Sequence, residues 1–286
     1  MSDIKRKRLP EWMKMRSRLP RDGKYTEVRQ LVDKNQLHTI CKSGNCPNIG
    51  ECWSSGTATF MILGEICTRS CKFCGVKTGK PLDVDCTEPT RVAESVKTMV
   101  LKHAVITSVD RDDLEDLGAE IWVQTIKEIK RVNPGVTMET LIPDFDGKPH
   151  LIEKIIKAGP EVISHNLETV KHLSKGVRSK AKYEISLKVI RQVSESDLVS
   201  KSGIMLGLGE TRQEILETMD DLIGVGCQVF TLGQYMQPTR DHMPVDEWIT
   251  PDQFEEYRKI GLSKGFRHVE SHPLVRSSYH AEKHIK

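Results

Sequence analysis

Short apolar runs alternate with longer amphipathic segments along residues 58–235. Six of the short runs are predicted strands, at residues 59–63, 104–109, 136–141, 161–165, 203–206 and 229–232. Three longer segments have the apolar spacing of helices, at residues 90–103, 113–132 and 211–225. Such alternation implies right-handed βαβ units in a mainly parallel sheet. Because six units are too few for a closed eight-stranded barrel, this α/β pattern predicts an open six-stranded βα barrel or a doubly wound sheet.

Two extensions flank this core and divide the chain into residues 1–57, 58–235 and 236–286. The first extension is polar and carries basic residues at positions 5–8, 16, 18 and 21. These form either a solvated arm or an arm that docks an acidic protein partner. The last extension contains one predicted helix, at residues 251–263, and ends in a run rich in His, Ser and Arg.

The composition indicates a folded chain, because 37% of its 286 residues are apolar and 29% are charged. The longest uninterrupted apolar run has four residues, at 60–63, whereas a membrane span needs roughly 20. The amino terminus has no apolar segment of the kind found in secretion signals. We therefore expect a cytoplasmic chain with no membrane partner. The net charge of +3 is nearly balanced, and we expect no nucleic-acid partner.

The cysteines carry the most information about chemistry. Six of the eight lie within residues 41–74, and such a group in a large chain without a secretion signal favours metal ligation over disulfide bonds. Cys67, Cys71 and Cys74, here called the Cys67 triad, follow the first predicted strand, where active-site loops of parallel sheets lie. Three thiolates suit three irons of a [4Fe–4S] cluster and leave the fourth iron without a protein ligand. An open coordination position is typical of reactive metal sites.

A second group, Cys41, Cys46 and Cys52, is here called the Cys41 triad. Its spacing matches no common zinc site, yet it again offers three thiolates and lacks a fourth. Zinc is disfavoured at the Cys67 triad as well, because its one C-x₂-C pair has no second pair elsewhere in the sequence. The natural interpretation of the Cys41 triad is a second iron–sulfur cluster with a missing ligand.

The run from Cys67 to Cys74 has the form C-x₃-C-x-Phe-C, which resembles the radical S-adenosylmethionine superfamily. In that superfamily S-adenosylmethionine chelates the fourth iron and is cleaved to a 5′-deoxyadenosyl radical, which abstracts hydrogen from unactivated carbon. The run CPNIGECW at residues 46–53 is similar to one family within it, the lipoyl synthases. Further blocks resemble that family in the same order: FMILG at 60–64, VDRDDL at 109–114, HNLETV at 165–170, MLGLGE at 205–210, TLGQY at 231–235 and RSSYHA at 276–281.

The resemblance implies an open partial (βα)₆ barrel with amino- and carboxyl-terminal extensions, and a sulfurtransferase activity. Lipoyl synthases insert two sulfur atoms at C6 and C8 of a protein-bound octanoyl-lysine. The Cys67 triad would hold the cluster that binds S-adenosylmethionine, and the Cys41 triad would hold an auxiliary [4Fe–4S] cluster that supplies the sulfur. In the family a serine of the Arg-Ser-Ser-Tyr run completes the auxiliary cluster, and we expect Ser278 rather than Ser277. No catalytic residue separate from the cluster ligands is expected.

The resemblance also suggests six residues that contact S-adenosylmethionine or the substrate channel: Phe73, Asn166, Glu168, Arg178, Gly207 and Glu210. For Glu168, the residues alone leave a helix N-terminal acid as an alternative. The chain departs from the family pattern at residues 115–118, where we expect a helical conformation in place of a tight turn, and at residues 179–182, after Arg178. Cys86 and Cys227 match no cluster position, and we expect Cys227 to be a buried small apolar residue.

The partners that the resemblance implies are an octanoylated lipoyl carrier domain or H protein, an electron donor such as ferredoxin or flavodoxin, and an iron–sulfur carrier that rebuilds the auxiliary cluster. Two other hypotheses remain open. A two-cluster radical enzyme that methylthiolates transfer RNA would carry a further nucleic-acid-binding domain and a strongly basic surface. A non-enzymatic iron–sulfur scaffold or redox sensor would hold a fully ligated cluster with no open iron.

Overall fold

The computed structural model describes residues 8–14 and 23–285. The basic runs predicted to form an arm, at residues 5–7 and 16–21, lie outside these ranges. Within them, no helix combines the length and the apolar character that crossing a membrane requires.

Ten strands are described, most of them in one large sheet. They are β1 (His38–Thr39), β2 (Thr59–Ile62), β3 (Ile66–Cys67), β4 (Lys77–Thr78), β5 (His103–Ser108), β6 (Thr137–Leu141), β7 (Val162–Ser164), β8 (Val199–Leu206), β9 (Val229–Gln234) and β10 (His268–Ser271). The large sheet has the order β1-β2-β5-β6-β7-β8-β9-β10, and β3 pairs with β4 separately. All neighbours in the large sheet are parallel except β1, which runs antiparallel to β2. Because β1 and β10 do not pair, the sheet is open, as predicted.

The six predicted strands correspond to β2 and to β5 through β9. Four strands were not predicted: the separate pair β3 and β4, and two strands of the large sheet. β10 extends the parallel sheet at one edge, and β1 caps the other edge. β10 escapes a pattern search because its four residues, HVES, contain no apolar run.

Eleven α-helices are described, most of them between successive strands. They are α1 (Glu11–Lys14), α2 (Gly23–Lys34), α3 (Ile40–Ser43), α4 (Ile49–Ser54), α5 (Glu88–Thr98), α6 (Ala119–Val132), α7 (Pro149–Ala158), α8 (Lys171–Val177), α9 (Tyr183–Ser194), α10 (Arg212–Gly224) and α11 (Pro251–Lys264). Two 3₁₀ turns, Phe145–Gly147 and Ala281–His284, complete the set. The start of α10 is the predicted one: Thr211 and Glu214 cap it reciprocally.

The helix predicted over residues 113–132 begins later than expected, and residues 115–118 are not helical. These residues form turns, with Leu117 and Gly118 in the left-handed region at φ 55° and 86°. The carboxylate of Asp116 accepts hydrogen bonds from the backbone N–H groups of Gly118 and Glu120, at 3.0 and 2.8 Å. This cap fixes the first residue of α6 at Ala119 and leaves the preceding loop beside the end of β2.

The hydrophobic core lies between the helices and one face of the sheet. Phe60 and Met138 of the sheet pack there with Trp122 and Ile126 of α6, and all four are fully buried. Burial of side chains this large contributes roughly 1.5–3 kcal/mol each. Since successive strand residues point to opposite faces, Glu139 faces away from this core.

Residues 272–285, the last that the structure describes, pack on the face of the sheet that the helices leave free; we call them the C-terminal segment. The backbone N–H of Gln234 donates to the carbonyl of Pro273, and that of His272 donates to the carbonyl of Leu232, both at 3.2 Å. On the other side, the side-chain amide of Asn48 donates to the carbonyl of Leu274 at 2.7 Å. The two extensions of the chain therefore meet across the end of the sheet.

Gly233→Ala tests whether this contact is as close as described. A Cβ at position 233 would lie 2.1 Å from the carbonyl oxygen of Val275, so the segment would have to shift. We expect the free energy of unfolding in urea to fall by about 1–3 kcal/mol, the usual cost of overpacking. Gly224→Ala is the matched control, because a Cβ there meets no described atom within 4 Å. Equal losses in the two variants would contradict the prediction.

Candidate functional site

A cavity of about 520 Å³ opens at the carboxyl ends of the parallel strands. Five of the six clustered cysteines line it: Cys41, Cys46, Cys67, Cys71 and Cys74. Its wall also includes residues of the C-terminal segment, among them Arg276, Ser277 and Ser278. The cavity thus joins both cysteine triads to residues more than 200 positions away in sequence.

The cysteines fit a polynuclear centre better than a single ion. All six are free thiols. Three thiolates around one zinc ion, with Zn–S bonds of about 2.3 Å, would lie within about 4.6 Å of one another. Among the described residues, however, the one group of three His, Cys, Asp or Glu side chains whose ligand atoms lie within 4.8 Å of one another contains no cysteine. Soft sulfur donors at wider spacing are suited to an iron–sulfur cluster.

Burial keeps most of these thiols protonated when no metal is bound. It raises the pKa of Cys41 and Cys67 to about 11, and that of Cys52 and Cys74 to about 12. Metal binding would therefore release protons. At Cys67 two backbone N–H groups, of Arg69 and Asp110, each donate to the sulfur at 3.4 Å, and these would stabilise a thiolate.

Arg69 fixes the loop of the Cys67 triad to the ends of β5 and β6. Its guanidinium forms two hydrogen bonds of 2.8 Å with Asp112, one of 2.8 Å with Asp144, and an ion pair of 3.2 Å with Asp110. Burial alone would lower the pKa of Arg69, but the three carboxylates raise it. The guanidinium is therefore a permanent cation that holds the cysteine loop in place. Sequence analysis did not single out Arg69, although the nearby aspartates in VDRDDL were a signal.

The cavity separates the roles of the two serines. The side-chain amide of Asn166 donates to the hydroxyl oxygen of Ser277 at 2.6 Å. No described residue forms a hydrogen bond with the hydroxyl of Ser278, which lines the same cavity. Ser278 is thus the serine whose oxygen is available to a ligand. Asn166 also leaves its own carbonyl oxygen buried without a described partner, which is typical of a site that binds a polar group.

Four of the six predicted S-adenosylmethionine contacts, Phe73, Asn166, Glu168 and Arg178, line the cavity. Glu168 is not at a helix start, since α8 begins at Lys171. Its backbone instead bridges to β8, with its N–H donating to the carbonyl of Gly203 at 3.0 Å, and burial raises the pKa of its carboxyl.

The other two predicted contacts, Gly207 and Glu210, are not part of the cavity wall. The Glu210 carboxylate accepts hydrogen bonds from the backbone N–H groups of Gly207 and Leu208 at 2.5 and 2.9 Å, and so closes the turn after β8. A Cβ at Gly207 would lie 2.4 Å from the carbonyl oxygen of Glu247. Their role in cofactor binding stays a prediction.

A buried hydrogen-bonded chain supports Arg178. The guanidinium donates to the hydroxyl oxygen of Ser186 at 2.7 Å, and the Ser186 hydroxyl contacts His165 Nε2 at 2.9 Å. His165 Nδ1 lies 2.9 Å from the carbonyl oxygen of Ile142. The chain is satisfied when His165 is neutral with its proton on Nδ1. Nη1 of Arg178 also donates to the carbonyl oxygen of Leu167 at 3.4 Å. The N–H groups of Nε and Nη2 have no described partner, and they are free to bind a carboxylate.

The remaining cysteines are not part of the cavity wall. Cys227 is buried two residues before β9, as expected, and Cys86 is exposed.

Comparison with known proteins identifies the family. A profile of the radical SAM superfamily matches residues 61–222. Over 286 residues the chain is 62% identical to the lipoyl synthase of Bacteroides fragilis, covering 100% of this chain and 99% of that protein. The chain belongs to the lipoyl synthase family. It is also 59% identical over 277 residues to a mitochondrial lipoyl synthase of Nematostella vectensis, covering 96% and 94% of the two chains.

Membership of the lipoyl synthase family makes the chain a sulfurtransferase of the radical S-adenosylmethionine class. Membership of the radical SAM superfamily supports the expectation of a [4Fe–4S] cluster and S-adenosylmethionine. Membership of the lipoyl synthase family decides against a transfer-RNA methylthiolating enzyme and against a non-enzymatic scaffold.

Solved structures of radical enzymes share the fold. The maturase HydG of the [FeFe]-hydrogenase superposes with a TM-score of 0.56 at 13% identity, over 79% of this chain and 61% of that one. Methylornithine synthase gives 0.53 at 13% identity, over 78% and 61%. At these identities the likeness shows the fold alone, and it confirms the open α/β barrel.

The neutral state of His165 predicts how stability depends on pH. Burial, helped by the charge of Arg178, lowers the pKa of His165 from its ordinary value of 6.5 to about 4. Between these values the unfolded chain binds a proton that the folded chain excludes. The free energy of unfolding should therefore fall as pH is lowered from 6.5 to 4, by up to about 3 kcal/mol from this residue.

Urea unfolding of His165→Gln across the same pH range measures this contribution. The variant should lose stability overall and show a shallower pH dependence. His150→Gln, at an exposed position of α7, is the matched control and should keep the parent slope. An unchanged slope in His165→Gln would contradict the assignment.

Proposed function

We propose that this chain inserts two sulfur atoms, at C6 and C8, into an octanoyl group carried on a lysine of a lipoyl carrier domain or H protein. The proposal rests on one observation. The Cys67 triad, two members of the Cys41 triad (Cys41 and Cys46) and Ser278 all line the same cavity. Its volume of about 520 Å³ lies in the range of small-molecule sites. Part of the wall is apolar and suits an alkyl chain, with Val105, Leu141, Ile142, Ile204 and Met205.

The Cys67 triad is proposed to hold the [4Fe–4S] cluster whose open iron takes S-adenosylmethionine. When bound, this pair supplies the abstraction of hydrogen from unactivated carbon. Arg178 would bind the carboxylate of the cofactor through its free N–H groups, and Glu168 would face its amino group. Phe73 and Asn166 complete this part of the wall.

The Cys41 triad and Ser278 are proposed as ligands of an auxiliary [4Fe–4S] cluster, the source of the inserted sulfur. A serine oxygen is a hard ligand on a soft site, so its bond to iron should be the most labile of the four. Ser278 is favoured over Ser277 because Asn166 already donates to the Ser277 hydroxyl. A ferredoxin or flavodoxin as electron donor, and an iron–sulfur carrier that rebuilds the cluster, are the further partners this chemistry needs.

Two single substitutions separate the roles of the triads. Cys71→Ala should abolish cleavage of S-adenosylmethionine, because the cluster that binds it loses a ligand. Cys46→Ala should leave cleavage measurable but eliminate sulfur insertion, because the proposed sulfur source is lost. The anaerobically reconstituted variants are assayed for 5′-deoxyadenosine and, by mass spectrometry, for lipoyl product on an octanoylated carrier domain.

Cys86→Ala is the matched control, since Cys86 is exposed and outside the cavity wall, and it should match the parent in both assays. Lipoyl product from Cys46→Ala would refute the sulfur-donor role. Loss of cleavage in Cys46→Ala would show that the two sites are not separable in this way.

A further inference from the structure

A lysine and a glutamate form a fully buried ion pair on the inner face of the sheet. Lys201 of β8 and Glu139 of β6 are both 0% exposed at the side chain, and Lys201 Nζ lies 2.7 and 2.8 Å from the two carboxylate oxygens. A buried ammonium is costly unless each of its three N–H groups has an acceptor. The positions of these acceptors are therefore strongly constrained.

Two of the three acceptors belong to the C-terminal segment. Lys201 Nζ donates to the carbonyl oxygen of Ser277 at 2.5 Å and to His284 Nδ1 at 3.1 Å. The carboxylate of Glu139 is the third. The sheet alone thus leaves the ammonium incompletely satisfied, and the C-terminal segment must lie in place for the pair to be stable.

His284 belongs to the histidine–glutamate group whose ligand atoms lie within 4.8 Å, with His268 and Glu270. The ammonium of Lys201 on His284 Nδ1 places a positive charge beside that group and opposes binding of a metal cation. We therefore assign His268, Glu270 and His284 to the contacts that hold the C-terminal segment in place, and not to a metal site.

Ser277 is held at two points. Lys201 binds its carbonyl, and the amide of Asn166 donates to its hydroxyl at 2.6 Å. The carbonyl of Ser277 is part of the peptide bond to Ser278, so fixing it fixes the backbone from which the Ser278 side chain projects. Ser278 itself lines the cavity and makes no described side-chain hydrogen bond.

We propose that Lys201 is a positioning residue for Ser278: through the Ser277 carbonyl, it holds the hydroxyl ligand at the auxiliary cluster. This inference rests on the proposed function for the ligand role of Ser278. A residue that merely supported the fold would affect iron retention whether or not Ser278 is present. A positioning residue for Ser278 should affect iron retention only while Ser278 is present.

The test is a double-mutant cycle on iron retention. It uses the full chain with Cys67, Cys71 and Cys74 replaced by Ala, so that after anaerobic reconstitution the remaining cluster is that of the Cys41 triad. Lys201→Met is combined with Glu139→Gln, so that neither charge stays buried alone. The measurement is the rate at which a ferrous chelator removes iron, with and without Ser278→Ala.

We expect Lys201→Met/Glu139→Gln to speed iron release at least about tenfold, the factor that one hydrogen bond to a charged group contributes. In the Ser278→Ala background the same two substitutions should not increase the rate of iron release any further. An equal acceleration in both backgrounds, or none in the parent, overturns the positioning role alone. If Ser278→Ala itself leaves the release rate unchanged, the ligand assignment fails and this inference fails with it.

Three further variants guard against a folding artefact. Lys201→Gln/Glu139→Gln keeps an N–H donor for the Ser277 carbonyl and should restore much of the slow release. Asn133→Ala removes a buried amide that donates to the carbonyls of Ala93 and Ile129, none of which belongs to the cavity wall, and should leave release unchanged. Ser277→Ala keeps the carbonyl on Lys201 and should change release far less than Ser278→Ala. If Ser277→Ala released iron as fast as Ser278→Ala does, the inference would be overturned even if the Lys201 variants did not fold.

Discussion

The ion pair between Lys201 and Glu139 is the interaction on which the arrangement of the cavity depends. Two opposite charges on alternate strands of a parallel sheet, with no exposed surface, are stable only if every donor and acceptor is satisfied. The missing acceptors come from the C-terminal segment. That segment also passes so close to β9 that Gly233 has no room for a side chain. The C-terminal segment is thereby held against the inner face of the sheet.

A second buried cation has the same effect on the other side of the cavity. Arg69 joins the loop of the Cys67 triad to aspartates at the ends of β5 and β6. One cation thus places the loop that follows the first core strand, and the other places the tail. Arg69 and residues of the C-terminal segment both belong to the cavity wall, which five of the six clustered cysteines also line.

Local pattern was enough to predict the core strands and the capped start of α10, because both depend on nearest neighbours in sequence. It failed at β10, whose residues are mostly polar, and at residues 113–118, where an aspartate cap and two left-handed residues delay the helix. Both triads could be recognised from cysteine spacing. Spacing could not point to Ser278, which the family resemblance suggested, because it joins Cys46 in the wall of one cavity only when the segment folds back across the sheet. Arg69, Lys201 and Glu139 were missed because the value of a buried charge lies in its partners, which are distant in sequence.

The central claim is that the cavity holds two clusters and that Ser278 ligates the second. An anaerobic crystal structure of the reconstituted chain, with anomalous scattering recorded at the iron edge, tests it most directly. The account predicts two groups of iron peaks, one bounded by the Cys67 triad with an iron free of protein ligands, and one bounded by the Cys41 triad with the Ser278 oxygen on its fourth iron. A single group of peaks, or a second group ligated by a residue other than Ser278, would contradict it.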